Sequence, residues 1–482
     1  MAVARKFFPI EHEDSDSQSP SGIRSYPLCE TDYFKRLDLL CYTCKEALRG
    51  SYITAIGRKY HLEHFSCADC PLVFSADESY YEHSGEVYCY ICYRKYAMRC
   101  EGCAHPIFKQ FIELPKDGVN QTWHPECWGI HKDWNVNTRK AFRVLESSST
   151  STATEHYDLD SIRRSDDTAM VMVSRIRETL SKFEERTATS IANMFLHASN
   201  GAYNDFVISA ALFLSAVGML FTAIEDAHDR NLPASQQSEL AASGNGQNAN
   251  NAQDLSSRQA KLLCRQCVSL MQTIAEISQA HVEAKVTDEL ISHVVRLAHH
   301  LKVLIRIGLQ TSLPTPESFL DDMALANITM DLNYYKSRMT LFVSTSADTC
   351  SNCHRAVEDH CFRTVGAFPE SSETWHAECV QCPQCGAIGA YAKQGPSDQR
   401  STCHRCGADC SISLYHVTRL KQCRHLLWVA LARLMIDMKM DLRYLDRDGI
   451  EEAVTGGAER VTNVDLSFDG LQSRDRLTEL AA

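Results

Sequence analysis

The chain has 482 residues, room for about three or four domains, and carries 22 cysteines. A formal charge of −12 argues against bulk attraction to a phosphate backbone, so nucleic acid is not expected as a partner. The opening MAVARKFFPIEHEDSDSQSPSG has no apolar run of signal-peptide type, which points to a reducing cytoplasmic setting where thiols stay free or metal-bound. Residues 1–28 are rich in Ser, Asp and Glu and poor in large apolar side chains, so a disordered acidic tail is expected there.

In HLEHFSCADC, residues 61–70, a potential metal ligand recurs at every third position: His61, His64, Cys67 and Cys70. Upstream CYTC supplies Cys41 and Cys44, and downstream CYIC supplies Cys89 and Cys92. Zinc takes four tetrahedral N or S ligands, and a C-x2-C turn aims two thiolates at one ion. The eight therefore divide into Cys41, Cys44, His61, His64 and Cys67, Cys70, Cys89, Cys92, with Phe65 and Ser66 as the seam, in a module over 38–96. Residues 97–145 then offer one further set, Cys100, Cys103, His124 and Cys127, with no thiols for a second. His131, in the same stretch, reads as a packing or surface histidine.

Residues 146–168 have linker composition. From 169 to 345 apolar residues recur at three-to-four spacing, which predicts an all-helical region with a Gly/Asn/Ser-rich loop over 235–257. The uncharged run FVISAALFLSAVGMLFTAI, 206–224, is long enough to cross a bilayer, but its acidic flanks predict a buried bundle helix and no membrane span. Cys264 and Cys267 lie in an amphipathic pattern and read as core cysteines. A second eight-ligand array follows over 347–410, with Cys350, Cys353, His376, Cys379 and then Cys382, Cys385, Cys403, Cys406. A helix is expected within 411–448, packing on this module through Val417, Leu420, Leu427, Leu431 and Leu434, with Arg419, Lys421, Arg424 and His425 solvated. Residues 449–482 read as a loose tail, and Cys29, Cys361, Cys410 and Cys423 are left without an assigned role.

The fold class expected is thus multidomain: small zinc-ribbon-type β modules plus an all-α region, joined by disordered segments. The sets leave no open coordination position, so five structural zinc ions are expected and no catalytic residue is assigned.

The order C-x2-C, H-x2-C/H, C-x2-C, C-x2-C resembles the LIM domain, a double zinc finger that generally binds proteins. Two adjacent arrays with the second cut short, a helical spacer, a third array and a helix after it resemble the N-terminal part of fungal LIM-domain Rho GTPase-activating proteins. That resemblance implies partners among Rho-type GTPase pathway or cytoskeletal proteins and action at sites of polarised growth or septation. A GTPase activator presents an arginine to the transferring phosphoryl group. In this family it stands in a Gly-x-x-Arg-x-Ser-Gly-like loop, and this sequence lacks such a loop in a suitable context. A LIM scaffold that is not itself an enzyme is therefore expected. The alternative is a GTPase-activating regulator, with Arg175, Arg177 and Arg306 as first candidates for the critical arginine.

Overall fold

The computed structural model describes residues 7–13, 23–75, 77–116, 118–142, 159–230, 247–280, 286–328, 348–364, 373–382, 384–388, 391–393, 401–403, 405–407 and 414–441. Packing divides the chain into two compact units, residues 1–124 with 156–163, and residues 125–155 with 164–482.

The first unit opens on an antiparallel hairpin of β1 (Phe8–Glu13) and β2 (Ile23–Leu28), in register from Phe8↔Leu28 to Glu13↔Ile23. For 8–13 and 23–28 this corrects the disorder expected over 1–28; residues 1–6 and 14–22 lie outside the described residues. Phe8 stacks on Tyr33 of helix α1 (Glu30–Arg36) with ring centroids 4.6 Å apart, so one aromatic anchor secures a strand pair whose polar composition hides it. Three more hairpins follow: β3 (Tyr52–Ala55) with β4 (Arg58–His61), β5 (Tyr81–His83) with β6 (Glu86–Tyr88), and β7 (Ile112–Lys116) with β8 (Val119–Trp123). Helix α2 (Tyr90–Tyr93) sits between the last two. Isolated hairpins of this size are marginal in water. Here aromatic packing joins them: the seam residue Phe65 is buried against Tyr60, Phe74 and Tyr80, and Tyr90 stacks on Phe108 at 4.3 Å.

The second unit is built on helices α3 (Pro125–Trp134), α4 (Leu159–Ser199), α5 (Tyr203–Arg230), α6 (Gln247–Ala280), α7 (Val286–Ser312) and α8 (Pro316–Ile328). Val173, Ile176, Leu180 and Phe183 recur at helical spacing on α4 and are fully buried. Helix α5 is long and apolar enough to cross a membrane, yet it lies inside the bundle, with 83% of its most apolar window buried. Two boundaries differ from expectation. Helix α4 starts at Leu159, inside the expected linker, and α6 starts at Gln247, inside the expected loop. On α6 the loop-like Ser256 and Ser257 are buried, and the Ser256 hydroxyl lies 3.5 Å from His228 Nε2 of α5. Small polar residues stand there because two helices approach closely.

The third module has two sheets. Strand β9 (Cys361–Thr364) is flanked by β10 (Thr374–His376) and by β13 (Leu414–Val417), while β11 (Tyr391–Lys393) pairs with β12 (Ser401–Cys403). Because β13 adds a strand to the first sheet, the module reaches past its expected end at 410. Helix α9 (Arg419–Asp437) packs on α5 and α6 as well as on this module, burying Leu420, Leu427, Trp428, Leu431 and Leu434. Its expected solvated face is mostly used: Arg419 pairs with Asp359 and Asp254, and Arg424 donates to Thr222 at 3.2 Å. Lys421 is exposed. Cys410, residues 143–158, 231–246 and 329–347, and the tail from 442 onward lie outside the described residues.

Candidate metal centres

All twenty predicted ligands come together in five sets of four, each with its donor atoms within 4.8 Å of one another. They are Cys41, Cys44, His61, His64; Cys67, Cys70, Cys89, Cys92; Cys100, Cys103, His124, Cys127; Cys350, Cys353, His376, Cys379; and Cys382, Cys385, Cys403, Cys406. His131 belongs to none of them and packs beside Trp128, ring centroids 5.8 Å apart.

One turn recurs in four of the five sets; in the set that begins at Cys67 the matching position is Pro71, which has no N–H to donate. The backbone N–H four residues after the first cysteine donates to that cysteine's carbonyl: Lys45 to Cys41 at 2.9 Å, Ala104 to Cys100 at 2.8 Å, His354 to Cys350 at 2.9 Å, Gly386 to Cys382 at 2.9 Å. The donor residue sits in the left-handed region, with φ of 61° at Lys45, 66° at Ala104, 54° at His354 and 67° at Gly386. Glycine takes that conformation without a Cβ penalty, while the other three depend on the turn being held in place by its surroundings.

The separations fit one tetrahedral ion per set. Bonds of about 2.3 Å to sulfur and about 2.0 Å to nitrogen give S···S edges of about 3.8 Å and S···N edges of about 3.5 Å. Cys70 and Cys89 sulfurs are 3.7 Å apart, as are Cys382 and Cys406, and Cys385 and Cys403. Sulfur to His Nδ1 distances are 3.4 Å for Cys44–His61, 3.4 Å for Cys103–His124 and 3.3 Å for Cys353–His376. Outer contacts orient the rings: His376 Nε2 donates to the Ala356 carbonyl at 2.9 Å, which leaves Nδ1 for an ion. His61 Nε2 lies 3.3 Å from the Ala47 carbonyl in the same way. Backbone N–H groups also approach sulfur, from Cys89 to Cys67 and from His124 to Cys100, both at 3.3 Å.

Electrostatics favour a thiolate at the first cysteine of several sets. At Cys41 burial opposes ionisation, but the N–H groups of Cys44 and His61 outweigh it and bring the thiol down to about 6. Cys350 is brought to about 6 against the same burial by the N–H groups of Cys353 and His376. At Cys382 the Cys385 N–H leads the lowering, again to about 6. Elsewhere burial wins: Cys379 is pushed up to about 12, and the core thiol of Cys267 is raised as well. Four-fold sets of sulfur and imidazole without a vacant position staple loops and leave no place for a reacting water.

The spacing signal does not extend to the residues that fix these modules to the helices. Gln422 Nε2 donates to the Val357 carbonyl at 2.7 Å while its Oε1 accepts from Arg363 at 2.7 Å and from the Cys361 thiol at 3.4 Å. Asp359 accepts from Lys261 at 2.9 Å and from Arg419. Burial works to raise the Asp359 carboxyl, but these cations and His360 overcome it and hold it well below the usual carboxylate range. Nothing local marks such residues. Their importance lies in partners about 60 to 100 positions away.

Residues 41–97 match the family model of the LIM domain. Rho-type GTPase-activating protein 1 of Schizosaccharomyces pombe is 32% identical over 465 residues, covering 90% of this chain and 37% of that protein. Rho-GTPase-activating protein LRG1 of Saccharomyces cerevisiae is 27% identical over 459 residues, covering 89% of this chain and 43% of the relative. Paxillin homolog 1 of Caenorhabditis elegans is 32% identical over 101 residues, 21% of this chain. The chain thus spans about two fifths of the length of the two fungal relatives. They correct one expectation: a chain that is not an enzyme is contradicted by relatives named for GTPase activation that match across its LIM arrays and helices alike. The absence of a local arginine motif was too narrow a ground, because the relatives named for this activity match over nine-tenths of the chain whatever that motif does. Residues 41–97 are thus a LIM domain, and over nine-tenths of its length the chain is similar to part of two fungal Rho GTPase-activating proteins.

Proposed function

We propose that this chain serves the activation of GTP hydrolysis on Rho-type GTPases, with five zinc ions stapling LIM modules that engage protein partners. The observation that carries this reading is the extent of relatedness to proteins named for that activity, 90% and 89% of the chain. Zinc is the ion favoured by donor sets of sulfur and imidazole with no oxygen ligand. The partners belong to the Rho-type GTPase pathway or the cytoskeleton. The place of action is the cytoplasm, at sites of polarised growth or septation, where reducing conditions keep these thiols available for metal.

The test adds the purified chain to GTP-loaded Rho-type GTPases and follows phosphate release. Acceleration is expected, and loss of roughly 10³-fold or more on replacing one arginine would identify the critical side chain. Arg175 is ion-paired with Asp321, and Arg177 lies against the backbone of Gly129. Arg306 is half-buried on α7. Arg306→Ala is therefore the first variant to make. No acceleration of any Rho-type GTPase overturns the reading.

A further inference from the structure

The five sets differ in how far their sulfurs are withdrawn from solvent. In the third all four ligands are buried, and in the second three of four. The fifth alternates, with Cys382 and Cys403 buried and Cys385 and Cys406 exposed. Each exposed sulfur there faces a buried one at 3.7 Å, Cys385 against Cys403 and Cys406 against Cys382. The fourth set has a single exposed thiol, Cys353, in contact with the His376 ring nitrogen at 3.3 Å. A cysteine is open to oxidation where it is solvent-accessible and stands beside a second thiol that can resolve the first product. Among the described residues the fifth set alone doubles that arrangement.

We propose that Cys382, Cys385, Cys403 and Cys406 form a peroxide-sensitive metal site, which gives up its ion on two-electron oxidation while the other four sets keep theirs. This rests on the zinc assignment of the preceding reading. In the step, an exposed thiolate attacks one peroxide oxygen, the O–O bond breaks, and hydroxide leaves with a sulfenic acid on the cysteine. The buried thiolate at 3.7 Å then attacks that sulfur, the S–S bond forms, and a second hydroxide leaves. Two protons from solvent convert the hydroxides to water. The two sulfurs have lost two electrons and the peroxide has gained them. With half of its ligands gone, the ion dissociates.

The first half of the same module is tied to the helical core independently of this site. Arg433 grips Asp348 through two hydrogen bonds of 2.6 and 2.7 Å, and Gln422 holds the Val357 carbonyl. Oxidation therefore frees the ion held by Cys382, Cys385, Cys403 and Cys406 and leaves α9 docked.

The experiment uses the full chain in native mass spectrometry during titration with hydrogen peroxide, with thiols mapped by differential alkylation. Five zinc ions are expected before oxidant, and a lower count overturns the zinc assignment itself. On titration one ion of the five is expected to leave first, together with a Cys385–Cys403 or Cys382–Cys406 disulfide, and to rebind after reduction in zinc buffer. Departure of the first ion with these four cysteines still reduced overturns the site. So does a first disulfide in any other set.

Discussion

At the scale of single residues, burial separates side chains that look alike in the sequence. Glu178, Glu184 and Glu185 all lie on α4, yet Glu178 pairs in solvent with Lys182 while Glu184 is buried between helices. Glu184 accepts from Trp134 Nε1 at 2.9 Å and lies 3.4 Å from Lys302 Nζ, joining α3, α4 and α7. Burial raises its carboxyl above the ordinary value of 4.5, against the pull of Lys302 and Trp134. A carboxyl raised in the folded state is still protonated when the unfolded chain has ionised, so this residue costs stability as pH rises through and above 4.5. Glu184→Gln keeps an acceptor for Trp134 and removes the titration. Denaturant unfolding of both proteins from pH 4.5 to 7 should show the variant gaining on the wild type as pH rises. A difference that stays constant with pH would show that Glu184 does not titrate in this window.

At the scale of elements, the helices of the second unit meet closely enough that one glycine decides their spacing. A Cβ on Gly308 of α7 would meet Phe319 of α8 at 3.0 Å and Ile224 of α5 at 3.1 Å, both fully buried. Alanine gains about 1 kcal/mol in helix propensity, but overpacking a rigid core costs about 1–3 kcal/mol, so the net expectation for Gly308→Ala is a loss of stability. Urea unfolding measures it, and a midpoint equal to or above that of the wild type contradicts the close approach. The periodicity of α4, α5 and α7 was readable because buried residues repeat along each helix. The pairing of strands 8–13 and 23–28 and the helical state of α6 at Ser256 were not. What stabilises them is contact with distant residues, Tyr33 for Phe8 and His228 for Ser256.

At the scale of the whole molecule, two kinds of core coexist. The small Cys/His modules bring together five sets of four candidate metal ligands, the first module around an aromatic and aliphatic cluster of Phe65, Phe74 and Val87. The helical core is held by Phe183, Phe206, Phe213, Phe221, Phe319 and Trp428, which need no ion. Metal removal by a chelator at neutral pH should therefore speed amide exchange through 38–123 and 381–407 while α5 and α7 stay protected. Hydrogen-exchange mass spectrometry reads both at once. Loss of protection in α5 together with the LIM modules would mean that the two cores unfold as one. The sequence by itself determined the division of twenty Cys and His residues into sets of four, because metal geometry imposes local spacing that a short stretch of chain displays. Only the tertiary structure decided that the cut-short second array continues as α3, packed on α4 through Gly129 and Trp134, and that α9 joins the third module to the bundle. It also decided which thiols of the fifth set face solvent. Those outcomes depend on burial and on hydrogen bonds between residues far apart in the chain, energies that no short window of sequence contains.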